Sequence, residues 1–292
     1  MREFTDVLRR REAYADSSSS MSFAMDRRTR ELGPGIYQDF IRPVEDDLAS
    51  ATKLYVVLPD GVPTLPFHAL RRTALPGSEY LAERFQLSYL PSAKTLTLPR
   101  PVLTGVHDVA GIGFPGSTGW DVEYELRDIR AFFKEAKLYF NQRATLTTLQ
   151  AEHADVLHLA IECRFHHQDP QNLAVVLSDG KSPDASALVP VAALFSLRGS
   201  PTIVLSALES ERTAIHPSLP YIFLADGSGY VIMNTYLPSR KVKKSFGESF
   251  YTALMDGNTT PPVAFRTAQR DMIKNPETSA PGVWAPFFAW GY

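Results

Sequence analysis

At 292 residues, 44% of them hydrophobic, the chain is long enough to bury a sizeable core, either as one large α/β domain or as two small ones. Lys and Arg number 30 against 32 Asp and Glu, and a formal charge of −2 is too weak a field to make nucleic acid or an anionic membrane the main partner. The single cysteine, Cys163, excludes an internal disulfide, and no run approaches the roughly 18 apolar residues of a membrane span. The opening MREFTDVLRRREAY also has charges where a signal peptide needs an apolar core, so a soluble protein in a reducing cytoplasm is expected.

Residues 1–35 are charged and carry the serine run Ser17 to Ser20. They are expected to form a polar, partly disordered segment outside the core, with the folded domain spanning 36–292. Ile36, Phe40, Ile41, Val44 and Leu48 then recur at helical spacing, with Pro43 marking a break. Short β-branched runs at Leu54–Leu58, Val109–Ile112, Val156–Ile161, Thr202–Leu205 and Tyr230–Met233, each bounded by Gly, Pro, Asp or Ser, predict buried strands. Amphipathic stretches at Asp121–Glu135, Val189–Phe195, Ser239–Met255 and Pro262–Ile273 predict helices. This alternation predicts a mostly parallel sheet covered on both faces, and the absence of an internal repeat favours one unit.

Several chemical patterns have a plainer account. Gly111, Gly113 and Gly116 match the spacing of a dinucleotide cradle, but Pro115 sits inside it and a turn after a strand explains them better. His153, His158, His166 and His167 come without a metal-binding spacing, and His158 lies within a predicted strand, so no metal and no cofactor are expected. The run Arg240, Lys241, Lys243, Lys244 reads as a solvated helix face and a weak docking candidate.

LYVVLPDGVPTLPFHAL, from Leu54 to Leu70, resembles the opening strand of CHAT domains, with its Pro-Asp-Gly turn and Leu-Pro-Phe wedge. Further blocks follow in that family's order: YLAERFQLSYLPSAKTL at 80–96, DVLHLAIEC at 155–163, TIVLSALES at 202–210, and a tail beginning FLADGSGYVI at 223. SFYTALMDG, AFRTAQRDM and VWAPFFAWG look like its closing helices and final strand, so the resemblance covers roughly 36–291. It implies a caspase-like α/β fold of peptidase clan CD, with a His and a Cys at the C-terminal ends of two neighbouring strands, where open α/β sheets build their sites.

The family's His-Leu-Ala-Thr-His-Gly stands here as His158, Leu159, Ala160, Ile161, Glu162, Cys163, which puts Glu162 at the base position. Its Leu-Ser-Ala-Cys-Glu-Ser stands as Leu205, Ser206, Ala207, Leu208, Glu209, Ser210, which puts Leu208 at the nucleophile position. A cysteine peptidase needs an imidazole beside a thiolate that attacks the scissile carbonyl. Leucine offers no lone pair, and a carboxylate, titrating in water near about 4.3, cannot protonate a leaving amine as imidazolium does. The resemblance therefore leads to the expectation of a protein that is not an enzyme: a pseudo-peptidase acting as a binding or regulatory module in a bacterial assembly.

The expected cleft comprises His158, Glu162, Cys163, Leu208, Glu209, Ser210 and Asp226, with Glu209 and Asp226 placed to recognise a basic side chain. The expected partner is a protein or peptide, with a helical-repeat protein among the candidates, because CHAT domains are often carried beside such repeats. The alternative is an active hydrolase with a displaced nucleophile, Cys163 or Ser206 or Ser210, paired with His166 or His167. No Gly-x-Ser-x-Gly elbow surrounds either serine.

Overall fold

The computed structural model of the protein describes residues 1–12, 20–58, 65–98, 103, 105–115, 122–166, 169–182, 185–196, 200–209, 218–235 and 238–292. Within them ten strands form one sheet: β1 (Lys53–Val57), β2 (Gln86–Leu90), β3 (Val109–Phe114), β4 (Lys137–Phe140), β5 (Val156–His166), β6 (Asp169–Ser178), β7 (Ser186–Pro190), β8 (Thr202–Glu209), β9 (Tyr230–Asn234) and β10 (Phe287–Gly291). The order across the sheet is β1-β2-β10-β9-β8-β5-β3-β4, and β6 pairs with β5 and with β7. Pairings are parallel except β10 with β9, β5 with β6 and β6 with β7.

The helices are α1 (Arg2–Glu12), α2 (Ser20–Phe40), α3 (Leu81–Arg84), α4 (Val122–Ile129), α5 (Leu146–Ala151), α6 (Ser218–Ala225), α7 (Arg240–Met255), α8 (Pro261–Lys274) and α9 (Pro281–Trp284). Every residue of β3, β9 and β10 is buried, as expected of central strands with both faces covered. The Ser239 side chain accepts the Val242 N–H to cap α7, which then buries Val242, Phe246, Phe250 and Leu254 at helical spacing. Phe246 stacks on Phe287 of β10 with ring centroids 4.1 Å apart, fixing α7 against the sheet. The mostly parallel, helix-flanked sheet is the fold class expected from the alternation of elements.

Two glycines of the apparent cradle have a packing role. Gly111 and Gly113 lie inside β3, where an added Cβ would stand 2.9 Å from Leu138 and 2.8 Å from Leu126 respectively. Their bare backbone lets α4 settle onto the strand. Gly116 lies outside the described residues.

The expectation of a disordered segment 1–35 is corrected for the described residues. Phe4 and Leu8, one helical turn apart on α1, are each only 1% exposed and belong to the main core, with α1 packed on α2 and α9. Arg28 of α2 bridges back to Glu3 at 2.6 Å. An apolar pair on one face anchored a segment whose overall composition is polar. Most of the serine run, 17–19, lies outside the described residues.

Other departures are local. Val189–Phe195 is not one helix: β7 ends at Pro190 and a 3-10 turn covers Val191–Ser196. The predicted helix from Asp121 shortens to α4, and β2, β4, β6 and β7 were not predicted from periodicity. β5 and β8 run on past their apolar stretches, to His166 and Glu209.

His68, in the Leu-Pro-Phe wedge, is buried between β2 and the end of α9. Its Nε2–H donates to the Ala285 carbonyl at 2.9 Å, and its Nδ1 meets the Tyr89 hydroxyl at 2.9 Å. Burial pulls its pKa down to about 4, against the opposing effect of the Ala285 carbonyl. The folded protein therefore keeps His68 neutral while the unfolded chain takes up a proton below about 6.5. The stabilisation is whole above that pH and is lost as pH falls toward about 4, a change on the order of 3 kcal/mol. Urea midpoints should fall between pH 6.5 and 4.5 in the natural protein and stay flatter in a less stable His68→Gln variant. Gly113→Val should destabilise by about 2 kcal/mol, read as a lower thermal midpoint, because α4 must lift off β3.

Candidate functional site

β5 and β8 run parallel and in register from Val156↔Thr202 to Cys163↔Glu209. Glu162 and Leu208 are direct partners near the C-terminal ends of these strands. The two positions that the resemblance picks out, 46 residues apart in the chain, are thus brought together by strand pairing alone. β3 leaves the other side of β5 at Ile161, and β6 replaces it from Glu162↔Val176 onward. The end of β5 is therefore held between β8 and an antiparallel β6, and the β5–β6 register shifts between Arg164 and His166.

Glu162 is 0% exposed, and its Oε1 accepts a 2.8 Å hydrogen bond from Nε of Arg164. Arg164, two residues on and so on the same side of the strand, has a 39% exposed side chain. Sequence reading missed Arg164. Its signal was an opposite charge at i+2 along a strand, hidden because the apolar run that marks the strand stops at Ile161.

Alternation along β5 puts Cys163 on the face opposite Glu162, and its thiol is buried, 2% exposed. Ser206 pairs in register with Ala160, and its buried hydroxyl makes no hydrogen bond among the described residues. His166 closes β5 opposite Asp169, while His167 and Ser210 lie outside the described residues. Glu209 is placed by its backbone beside Cys163.

Asp226 belongs elsewhere. It follows α6, its N–H bonded to the Ile222 carbonyl, and the next residues tie to Ser200 and Pro201, where β8 begins. It stands at the opposite end of β8 from Glu209, which corrects its expected place in the cleft. The chain turns back along α6 before Asp226, so nearness in sequence to the β8 motif did not mean nearness in space. Burial pushes its carboxyl up to about 6.

His158 is also not open to a cleft. It lies buried under α4 and α7, its Nε2–H donating to Glu125 at 3.1 Å and its Nδ1 meeting the Tyr251 hydroxyl at 2.6 Å. Lys243 of α7 bonds the other oxygen of Glu125. Burial alone would push the Glu125 carboxyl up, but the hydrogen bond from His158 and the charge of Lys243 outweigh it and hold it at about 2. Burial lowers the Lys243 ammonium, partly countered by Glu125, and raises the Tyr251 phenol. The basic run is thus only partly a solvated face. Lys243 points inward, while Lys241 pairs with Glu277, Lys244 with Glu248, and Arg240 covers the Tyr124 ring. No group of three His, Cys, Asp or Glu among the described residues is placed to hold a metal ion, and no described helix is long and apolar enough to cross a membrane.

The CHAT domain family matches residues 30–292. Among solved structures, the Arg-specific cysteine proteinase gingipain R (RgpB) is similar at 8% identity and a TM-score of 0.50, over 86% of this chain and 66% of that one. The Porphyromonas gingivalis complex of RgpB pro- and mature domains gives 8% and 0.48, over 88% and 68%. The Saccharomyces cerevisiae separase–securin complex gives 14% and 0.44, over 72% of this chain and 14% of the separase chain. No curated protein sequence matches. This chain therefore spans a small part of the separase and about two thirds of gingipain R.

These findings overturn the expectation that the chain is not an enzyme, since the matched family and the gingipain neighbour are of the cysteine peptidase kind. The expectation rested on two side chains, Glu162 and Leu208, which are register partners in a chain that the CHAT domain family matches over residues 30–292.

The Glu125 network has a measurable cost. Lys243→Met, which leaves the buried carboxylate with one partner fewer, should destabilise by about 3 kcal/mol in urea unfolding. Combining it with Glu125→Gln should cost clearly less than the two single changes summed, because the uncompensated charge is removed with its partner.

Proposed function

The chain belongs to the CHAT domain family, and on that premise we propose that it engages polypeptides at the C-terminal ends of β5 and β8, as a protein-binding and regulatory component of a bacterial assembly. The observation that supports this most directly is the register of Glu162 with Leu208, which puts the family's two chemical positions side by side at the strand ends. A polypeptide is the partner class, because a net charge of −2 gives no field for nucleic acid or a membrane surface. A helical-repeat protein is one form that partner takes. The compartment is the cytoplasm, in keeping with a lone buried thiol and no disulfide.

Hydrolysis at this place is the second reading, favoured by the family's chemistry and by the position of Cys163 directly beside Glu162. Thiolate attack would need Cys163, on the opposite face of β5 and 2% exposed, to become accessible.

One experiment addresses both readings. A proteome-derived peptide library is incubated with the protein, and the retained and newly cut peptides are identified by mass spectrometry. Leu208→Lys should reduce retention at least about tenfold, a loss of some 1.4 kcal/mol of binding. If that variant is poorly folded, Leu208→Ala replaces it. Equal retention by the folded variant overturns the cleft. New peptide termini that vanish with Cys163→Ser would establish hydrolysis through that thiol, and termini that persist would exclude it.

A further inference from the structure

Four Asp-Gly pairs occur in the chain, Asp60–Gly61, Asp179–Gly180, Asp226–Gly227 and Asp256–Gly257, and the first lies outside the described residues. An Asp-Gly bond is chemically labile, because glycine has no side chain to shield its amide nitrogen from the preceding carboxyl. Attack of that nitrogen on the neutral carboxyl forms a C–N bond and expels water, giving a cyclic succinimide. Water then reopens the ring, at the side-chain carbonyl to restore Asp or at the main-chain carbonyl to leave isoaspartate. The water released in the first step is balanced by the water taken up in the second, so the change is an isomerisation that needs no co-reactant. In a folded chain its rate depends on how firmly the carboxyl and the following N–H are held.

The three described glycines all have positive φ, 77°, 103° and 69° in chain order, so backbone conformation does not separate them. Their aspartates are held differently. The Asp256 carboxyl accepts the Thr259 hydroxyl at 2.8 Å and the Asn258 and Thr259 N–H groups at 2.9 Å, bonds that lower its pKa and keep it ionised. The Asp179 carboxyl accepts the Lys181 N–H at 2.8 Å. Asp226 accepts no hydrogen bond among the described residues, and its Oδ2 is buried. That burial, which pushes the carboxyl up to about 6, leaves half of it in the neutral, electrophilic form near that pH. The Gly227 N–H also has the longest bond of the three, 3.4 Å to the Leu224 carbonyl, against 3.1 Å for Gly180 and 3.2 Å for Gly257. An added Cβ at Gly227 would meet nothing within 4 Å, so a ring closing there has room.

We propose that Asp226–Gly227 is a site of covalent modification, the one of the three described Asp-Gly pairs at which the folded chain cyclises to succinimide and passes to isoaspartate. The product alters a structural joint. Isoaspartate carries the chain through its β-carbon and so adds a methylene to the turn in which the Ser228 hydroxyl donates to the Ser200 carbonyl, tying the end of α6 to the start of β8. It also presents a free α-carboxyl, the group on which isoaspartyl O-methyltransferases act.

The test ages the full chain at about pH 6, well below its thermal midpoint, beside an equal sample unfolded in guanidinium chloride. Tryptic peptides 165–181, 213–240 and 245–266, which carry the three pairs, are then compared for succinimide and isoaspartate. Loss of water marks the first product in mass spectra, and electron-transfer fragmentation locates the second. From the folded sample, peptide 213–240 should hold at least about tenfold more of the two products than either other peptide, because a carboxyl of ordinary pKa is neutral for only about 1% of the time at that pH. In the unfolded sample the three should agree within about threefold, since the differences between them lie in the fold. Asp226→Glu keeps the charge but requires a larger ring, and it should clear peptide 213–240 of both products. Products spread evenly over the folded chain, or most abundant in another peptide, overturn the inference. So does a folded chain that stays unmodified while the unfolded one ages. An excess in 213–240 that is as large in guanidinium chloride assigns the cause to the adjoining sequence and overturns it equally, as does a signal that persists in Asp226→Glu.

Discussion

β5 runs through the middle of the sheet, between β8 on one side and β3 then β6 on the other, and where its polar side chains are buried they have no water to fall back on. Its buried polar side chains, His158 and Glu162, must be satisfied by protein. His158 meets this demand by drawing Glu125 from α4 and Tyr251 from α7, and Glu125 in turn draws in Lys243. Glu162 meets it within the strand, through Arg164. One strand's burial thus determines the seating of two helices on its inner half and the charge displayed at its outer end.

The two polar points differ in what they ask of the fold. The His158 cluster joins three elements far apart in sequence, so it forms only when α4, α7 and the sheet are all in place. It rewards the native arrangement specifically, since any other packing leaves a buried imidazole or carboxylate short of a partner. The Glu162–Arg164 hydrogen bond, by contrast, joins two residues of one strand. The same division separates the dry lower part of β5, flanked by the fully buried β3, from its upper part beside the β6–β7 hairpin.

Much of this was legible in the chain itself. Runs such as Val156–Ile161 and Tyr230–Met233 announce central strands because burial on both faces demands unbroken apolar sequence. The extensions of β5 into Glu162–His166 and of β8 into Ser206–Glu209 were not legible, because strand character there comes from pairing with β6 and with each other and not from composition. α1 was hidden for a related reason, with Phe4 and Leu8 facing inward from a segment rich in charge. The Glu162–Leu208 juxtaposition was readable by resemblance, and Cys163 on the opposite face by alternation. Asp226 was misassigned because a motif gives order along the chain and not which end of a strand a residue reaches.

The base position of the family and the position of Glu162 make opposite demands on their surroundings. A catalytic imidazole acts as a base by taking up the proton of a neighbouring thiol, and a buried carboxylate gains from a fixed cation. Once position 162 holds an acid, a cation two residues along the same side of the strand becomes the natural compensation, and Arg164 supplies it at hydrogen-bond distance. A change at 162 taken alone would leave a buried charge, and an arginine at 164 taken alone would leave an unanchored one. The pair is therefore one structural unit, built into the end of the strand that carries the base position.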